Sequence, residues 1–445
     1  MDQKEIAELV RQMSAEMGIT DWEITCTSSA SVSAGMMNDE LVDFSSSRDC
    51  DLTVRVIMDG REGTATGERL DEQTVRRLVS LALENSVVRP SEPECPPYVM
   101  EAGKTYPEKR GREGHSASVS QIIACLERTQ KALFASDHRV AEGTGSDAAS
   151  VECSTFVENS RGLSLSQSWK SSYIDSSVVV KSDGEVRSGY VAVEGDIAHS
   201  DTLRAVDRAI SRLGAGTPAS GRCPVAFSPE CMTQMLSAFW PAFSGKNAAL
   251  NLSPYRGRTG EQIASQVLTL IDDPLYPDYP AQAVFDGDCM PVYTKAVIED
   301  GVLRTLLYNR QWAMKAGCES TGNGITTSSG SSICPYSFYI KPSDLSLDGL
   351  LGMMDSGIYV TGMKGFHAGA NSVSGDFSIE SSGFLVENGR LGAPADGFTV
   401  AGNFFDMLRN VSAVADDLDF QVTLSPFRTG SPSVLVSMLS IAGKQ

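Results

Sequence analysis

The chain contains four histidines, His115, His138, His199 and His367, and no two of them lie within five residues of each other. A hydrolytic zinc site needs two or three imidazoles or thiolates around one ion, with a carboxylate nearby as the base. The ten cysteines are scattered, and none forms a Cys-x-x-Cys pair. The spacing of these residue types therefore disfavours a zinc site in this chain.

Other motifs with catalytic potential are weak. His367 and Asp376 lie near many serines, but no Gly-x-Ser-x-Gly elbow is present. An independent hydrolase that uses this pair is kept as an alternative. The carboxylate pairs Asp272-Asp273 and Asp416-Asp417 could bind a hard cation, although such pairs are more typical of turns and caps. The Gly-rich segments do not match the nucleotide-binding motifs, so we interpret them as loops.

The composition limits the possible partners. The chain has 445 residues, 37 Lys+Arg and 56 Asp+Glu, which gives a net charge of −19. Binding to nucleic acid requires basic side chains that neutralise phosphates, so we expect no direct nucleic-acid binding. The acidic excess favours solubility. A sharper interpretation is a preference for basic or unfolded peptides.

The pattern of apolar residues bears on the cellular compartment of the protein. The N-terminal segment is polar and lacks the apolar stretch of a signal peptide. No run of about 18 apolar residues could span a membrane. A chain of this length can bury a large core without disulfides. We therefore expect a cytoplasmic protein with reduced thiols and no membrane contact.

Two stretches of the chain repeat one order of elements. Ile6, Leu9, Val10 and Met13 recur at the spacing of a helix. Segments typical of strands, with a turn at Asp59-Gly60, come next, and a second helix follows them. A helix, several strands and a helix recur over residues 117–215. We predict an α+β fold with two helix-plus-antiparallel-sheet units, at residues 1–88 and 117–215. A Pro-rich linker or arm at residues 89–116 joins them.

Residues 222–445 are predicted to form a β-rich C-terminal domain. Pro229 opens a helix that runs to about Trp240. Two hairpins follow, with turns at Asp300-Gly301 and Asn388-Gly389, where a tight turn requires positive φ.

This C-terminal half resembles the TldD/PmbA family, described as modulators of DNA gyrase and as metallopeptidases. The resemblance is carried by motifs whose order and spacing match the family: Ser228-Pro229-Glu230, Thr269 to Pro274, Ile298 to Leu303, Ser320 to Asn323, Gly375 to Ser378, Ser382 to Gly389, Ala401 to Phe404, Ala415 to Leu418 and Ile441 to Gly443. The first half fits in length and element order, but its motifs are less specific. The resemblance implies a fold of the TldD/PmbA type.

The family has two branches, and the resemblance places this chain on the PmbA-like side, also called TldE-like. TldD-type chains carry His-Glu-x-x-x-His on a helix of the C-terminal domain and a cysteine near the C-terminus. In this sequence Ser237 and Ala242 occupy the histidine positions, and Ala238 occupies the glutamate position. No cysteine follows Cys334. The resemblance therefore implies no catalytic residues and no metal ligands in this chain.

What the resemblance further implies is a partner. A TldD-like zinc peptidase chain would form a heterodimer with this subunit and degrade or process unfolded peptides. Glycines allow close backbone approach, so a set of loop residues is predicted to face the peptide or the partner: Gly365, His367, Asn371, Gly375, Asp376 and Asn403. The alternative is a self-associating peptide-binding or scaffold protein, a homodimer without peptidase activity.

Overall fold

The computed structural model describes residues 1–88, 95–111, 113–327 and 330–444. Parts of two segments that the sequence analysis singled out lie outside these residues. They are positions 89–94 and 112 of the predicted arm, and positions 328–329 of one Gly-rich segment.

The first unit has the order helix, three strands, helix. Asp2 caps its first helix by accepting a hydrogen bond from the Glu5 backbone N–H at 2.9 Å, and Gly18 ends the helix at φ 72°. The elements are α1 (Gln3–Met17), β1 (Asp21–Met37), β2 (Glu40–Met58), β3 (Arg61–Gly67) and α2 (Glu72–Val88). The predicted turn is confirmed, since Asp59 and Gly60 have φ of 50° and 68°.

The second unit repeats this order. Ser118 caps its first helix through a capping box with Gln121. The elements are α3 (Val119–Ser136), β4 (Gly145–Asn159), β5 (Ser164–Ser182), β6 (Glu185–Glu194) and α4 (Arg204–Ile210).

The strands of the two units join into one sheet. In the described part of the chain the order is β3-β2-β1-β4-β5-β6, and every pairing is antiparallel. The central seam pairs residues 23–37 of β1 with residues 145–159 of β4. Helices cover one face in three hydrophobic clusters, two of which include residues of β1. Ile24 and Cys26 pack with α1 and α2, whereas Ala34 and Met36 pack with α3.

The segment 95–111 is extended and packs against both halves of the protein. Val99 and Met100 are buried. The Tyr98 carbonyl accepts a hydrogen bond from Arg55 of β2 at 2.9 Å, and the Tyr106 hydroxyl donates to the Cys289 carbonyl at 2.8 Å. The segment therefore connects the N-terminal sheet to the C-terminal domain through specific contacts.

The C-terminal domain consists mainly of strands. Its first elements are β7 (Gly221–Phe227), α5 (Pro229–Phe239), a 3₁₀ helix (Trp240–Phe243), α6 (Gly245–Ala249), β8 (Leu270–Asp273), β9 (Lys295–Glu299), β10 (Val302–Leu303) and α7 (Arg310–Ala316). The middle part contains β11 (Gly324–Thr327), β12 (Gly330–Ile333), β13 (Ser337–Ile340), α8 (Leu347–Gly352), β14 (Ser356–Lys364) and α9 (Phe366–Gly369). It ends with β15 (Asp376–Glu387), β16 (Arg390–Asn403), α10 (Phe404–Arg409), β17 (Val411–Val414), β18 (Asp419–Phe420), β19 (Arg428–Ser431) and β20 (Val434–Ala442).

Two sheets enclose the core of this domain. Among the described residues their strand orders are β10-β9-β8-β13-β19-β18 and β16-β15-β14-β7-β20-β17. Helix α5 contributes its apolar side to a cluster that contains strands of both sheets, for example Phe338 of one and Val434 of the other. The α+β fold with a β-rich C-terminal part is therefore confirmed. No helix in the described ranges is long and apolar enough to cross a bilayer.

Candidate functional site

Helix α5 carries the first part of the family's peptidase motif in the register that the resemblance implies, and the 3₁₀ helix after it carries the last part. The Ser228 hydroxyl caps α5 by accepting a hydrogen bond from the Cys231 backbone N–H at 3.3 Å, and Pro229 occupies the first turn. Phe239, in the last turn, stacks on Phe404 with ring centroids 4.5 Å apart. The helix is therefore held rigidly by its apolar side, and its position is set by core packing.

The three motif positions do not form a metal site. The Ser237 side chain is exposed, Ala238 is half-buried against the core, and Ala242 lies fully buried in the 3₁₀ helix. Two of these side chains have no donor atom, and a neutral serine hydroxyl is not a ligand type that zinc sites use. Within the described ranges, no group of three His, Cys, Asp or Glu is placed to hold a metal ion. The residues present here do not fit zinc.

A polar cavity of about 230 Å³ lies beside the N-terminal half of α5, where the second unit meets the C-terminal domain. Its lining includes Glu230, Thr233 and Gln234 of α5 and Arg208 of α4. The Arg208 guanidinium lies 3.0 Å from the Glu230 carboxylate, while partial burial raises the pKa of Glu230. This cavity could admit a polar side chain or a chain end, but it brings no nucleophile and base together.

Four of the predicted loop residues form one hydrogen-bonded cluster. The Asn403 amide N–H donates to the Ser374 carbonyl and to the Asp376 carboxylate, both at 2.9 Å. The Asn403 side-chain oxygen caps α10 by accepting from the backbone N–H of Phe405 at 3.1 Å. The backbone of Asn371 completes the cluster: its N–H donates to the Asp376 carbonyl, and its carbonyl accepts from Gly375.

Gly375 is required at its position for two reasons. Its φ is 84°, in the left-handed region that favours glycine. A Cβ atom there would lie 2.6 Å from the Phe405 ring. Gly375 is itself buried, and Asn403 is half-buried. The cluster therefore fixes the start of β15 against the start of α10.

The structure does not bring His367 and Asp376 together as a catalytic pair. His367 is exposed on the one-turn helix α9, and its side chain has no hydrogen bond with another described residue. The Asp376 carboxylate instead accepts from Asn403, and this bond lowers the pKa of Asp376. Gly365, His367, Asn371 and Asp376 are exposed, so their surface is open to another chain, but they do not form a hydrolase triad.

One carboxylate of each pair, Asp272 and Asp417, has internal hydrogen-bond partners. Asp272 is fully buried, and its carboxylate accepts from the Lys295 ammonium at 2.9 Å and from the Asn323 amide at 2.8 Å. Asp417 accepts from both the backbone and the hydroxyl of Ser433 at 2.7 Å. These two carboxylates act as internal hydrogen-bond acceptors, as expected for buried polar groups, and no metal ion is needed to satisfy them.

A buried acidic group that no sequence motif marks lies at the junction of the sheet, the arm and the C-terminal domain. Asp286 is 3% exposed, and burial together with the charge of Asp288 raises its pKa to about 7. Asp288 accepts from the Arg310 backbone N–H at 2.9 Å and lines a cavity of about 140 Å³ with Arg55 and Tyr98. Asp286-Gly287-Asp288 has the composition of an ordinary turn, so no sequence signal marks it.

Comparison with known proteins agrees with this architecture. Residues 220–443 match the model of the PmbA/TldA metallopeptidase C-terminal domain, residues 22–86 match domain 1, and residues 112–213 match the central domain. The chain is 27% identical over 432 residues to metalloprotease PmbA of Escherichia coli O157:H7, which covers 95% of this chain and 91% of that protein. A PmbA homologue of Haemophilus influenzae is 27% identical over 433 residues, covering 94% and 91% of the two chains.

Solved structures show the same fold. A proposed modulator of a DNA gyrase from Thermotoga maritima superposes with a TM-score of 0.90 at 28% identity, over 99% of this chain and 100% of the other. TldE from Thermococcus kodakarensis superposes with a TM-score of 0.88 over 98% and 100% of the chains. At 24% identity this second match shows the fold alone.

Proposed function

The chain belongs to the PmbA/TldD metallopeptidase family, and from this premise we propose that it is a PmbA-like subunit without a zinc site of its own. It acts in the cytoplasm with a TldD-like chain that supplies the metal, and the complex degrades or processes unfolded peptides. The observation that carries the proposal is the environment of Ala242. A position that would have to present an imidazole to zinc is instead a methyl group packed in the apolar core.

The loop cluster supports a role in contact with other chains. Gly365, His367, Asn371 and Asp376 present an exposed surface whose backbone is held by the hydrogen bonds of Asn403. A surface that is ordered before it binds loses less conformational entropy on association. In the proposed complex this surface faces the TldD-like chain or the incoming peptide.

The test is metal analysis and proteolysis with the purified chain. After loading with zinc and dialysis, we expect far less than one zinc per chain and no cleavage of an unfolded peptide. Addition of the TldD-like chain should produce cleavage that a chelator abolishes. Zinc-dependent cleavage by the single chain, unchanged in a Ser237→Ala variant, would refute the proposal.

A second candidate, a self-associating scaffold protein, is favoured by the outer edge of β2. Residues 52–58 of β2 pair with β3, whereas residues 40–51 pair with β1 and with no other described strand. Leu41, Val42 and Phe44 on this open edge are 51%, 60% and 46% exposed. An open apolar strand edge can pair with another chain. Size-exclusion chromatography separates the two candidates: a homodimer that persists with the TldD-like chain present, and that Phe44→Lys disrupts, favours the scaffold.

A further inference from the structure

A groove crosses the N-terminal sheet between the two helix clusters that include residues of β1. Along β1, Ser28 and Ala30 lie an even number of residues from Ile24 and Ala34. Alternate side chains of a strand point to the same face, so those of Ser28 and Ala30 lie on the face that the helices cover. Neither helix cluster includes Ser28 or Ala30. The resulting cavity has a volume of about 830 Å³, within the range of roughly 300–1,000 Å³ that is typical of ligand sites. We call it the cross-sheet groove.

Two rows of paired residues form the floor of the cross-sheet groove. The first row is Arg48, Ala30, Glu152 and Lys170, each opposite the next on neighbouring strands β2, β1, β4 and β5. The second row contains Ser28, Ser154 and Ser168. Three serines and one alanine leave room above the sheet and offer hydroxyl groups that can donate or accept hydrogen bonds.

The arm closes one end of the cross-sheet groove. The Lys109 ammonium donates to the Ser168 carbonyl, at the part of β5 that β6 does not pair. The Gln282 side chain accepts from the Arg110 backbone N–H at 2.6 Å and donates to the Arg110 carbonyl. The arm is therefore a fixed wall of the groove, and it places two cationic residues there.

The charge of the cross-sheet groove is opposite to that of the whole protein. Its lining contains Arg48, Lys109, Arg110 and Lys170 against Glu113 and Glu152, a formal charge of +2, while the chain carries −19. None of the four cationic side chains has an ion-pair partner among the described residues. Burial also lowers the pKa of Lys109. Cations that exceed the carboxylates of a cavity and form no ion pairs with them are available to an anionic ligand.

We propose that the cross-sheet groove binds short acidic peptide segments in extended conformation. The spacing of its cations supports a peptide. Arg48 and Lys170 are three strand spacings apart, about 14 Å, which an extended peptide covers in roughly four residues. Carboxylates four positions apart would therefore reach both ends. Glu113 and Glu152 would accept peptide N–H groups but would repel the continuous phosphates of a nucleic acid.

Binding is tested by calorimetry with the full chain and capped five-residue peptides. One peptide carries glutamate at its first and fifth positions with Gly and Ser between them, and its counterpart carries glutamine there. The glutamate peptide should bind at least tenfold more tightly, and added salt should weaken it. This test uses the chain alone and does not depend on zinc or on a TldD-like partner.

Variants locate the site. Arg48→Gln and Lys170→Gln should each weaken the glutamate peptide several-fold, and together they should abolish binding. Lys181→Gln is the matched control, since Lys181 lies on the same strand outside the groove and should not affect the affinity. Unchanged thermal unfolding confirms that the variants fold. The proposal would be overturned if the two peptides bound equally, or if the double variant bound the glutamate peptide as tightly as the unmodified protein does. Tighter binding of a single-stranded oligonucleotide than of the glutamate peptide would also overturn it.

Discussion

The amide of Asn403 donates a hydrogen bond to the carboxylate of Asp376 across the β15–β16 pair, at 2.9 Å. This bond lowers the pKa of Asp376, and the same asparagine caps α10. One side chain therefore joins a loop, a strand start and a helix start that the sequence separates by about thirty positions.

Replacing Asn403 should destabilise the protein more than replacing an asparagine at the other end of the same helix. Asn403→Ala removes the cap and both bonds to the loop, and we expect a loss of about 1–2 kcal/mol in the free energy of unfolding. Asn410→Ala, which removes one exposed bond to the Asp406 carbonyl, should cost about 0.5 kcal/mol or less. Urea unfolding measures both, and equal losses would contradict the role given to Asn403.

Substitution of two glycines should distinguish the cost of a left-handed backbone from the cost of a steric clash. Gly365 and Gly375 have φ of 83° and 84°, but only Gly375 would place a Cβ atom against a neighbour, at 2.6 Å from Phe405. Gly365→Ala should therefore cost about 1–2 kcal/mol for the left-handed conformation alone. Gly375→Ala should cost roughly 1–3 kcal/mol more, because the Phe405 ring must shift. Denaturant unfolding of the two variants checks this difference.

Histidines placed at the family's motif positions should have unequal effects. Ser237→His changes an exposed side chain and should alter the free energy of unfolding by at most about 0.5 kcal/mol. Ala242→His puts a polar ring into a site of 0% exposure, and we expect a loss of about 3 kcal/mol or more. Chemical unfolding measures both variants. A stable Ala242→His protein that binds zinc would show that this position can turn outward.

The ion pair between Lys295 and Asp272 should matter far more than a surface pair of the same sheet. The buried pair has side-chain exposures of 5% and 0%, whereas Arg304 and Glu299 are 50% and 52% exposed. Lys295→Met leaves a buried carboxylate without its cation and should cost about 3–5 kcal/mol. Arg304→Met should cost about 0–1 kcal/mol. Thermal and urea unfolding would contradict this if the two losses were similar.

Asp286 should make stability depend on pH between about 4 and 7. Its pKa rises from the ordinary 3.8 to about 7 on folding, so the folded state holds this proton more tightly. The favourable contribution is complete below about pH 4 and is lost as pH rises through about 7, at most ~1.4 kcal/mol per pH unit. Asp286→Asn should flatten the slope of unfolding free energy against pH.

Local elements could be predicted from the sequence because their signals lie within a few residues. The Asp300-Gly301 and Asn388-Gly389 turns have the positive φ values that the hairpin motifs require, and α5 begins at Pro229 as predicted. The strands were harder to delimit. β2 runs unbroken from Glu40 to Met58 through a Ser-rich, exposed middle that has no apolar alternation to mark it as a strand.

Long-range relationships could not be predicted. The pairing of Ser29 with Cys153 depends on two strands more than a hundred residues apart, and neither residue type specifies a partner. The same is true of Asp286, whose pKa is raised mainly by burial in the folded protein. Ser237 and Ala242 also lie on either side of the point where α5 ends at Phe239 and the chain continues as a 3₁₀ helix, a change that the sequence pattern does not reveal.

The seam between β1 and β4 has a consequence for synthesis on the ribosome. β1 is made more than a hundred residues before its partner, so a nascent first unit has a long unpaired strand edge until β4 emerges. Contacts this distant in sequence slow folding, and an open edge can associate with other chains during that interval. A protein cut between the two units would keep that edge permanently, and each half should aggregate rather than fold alone.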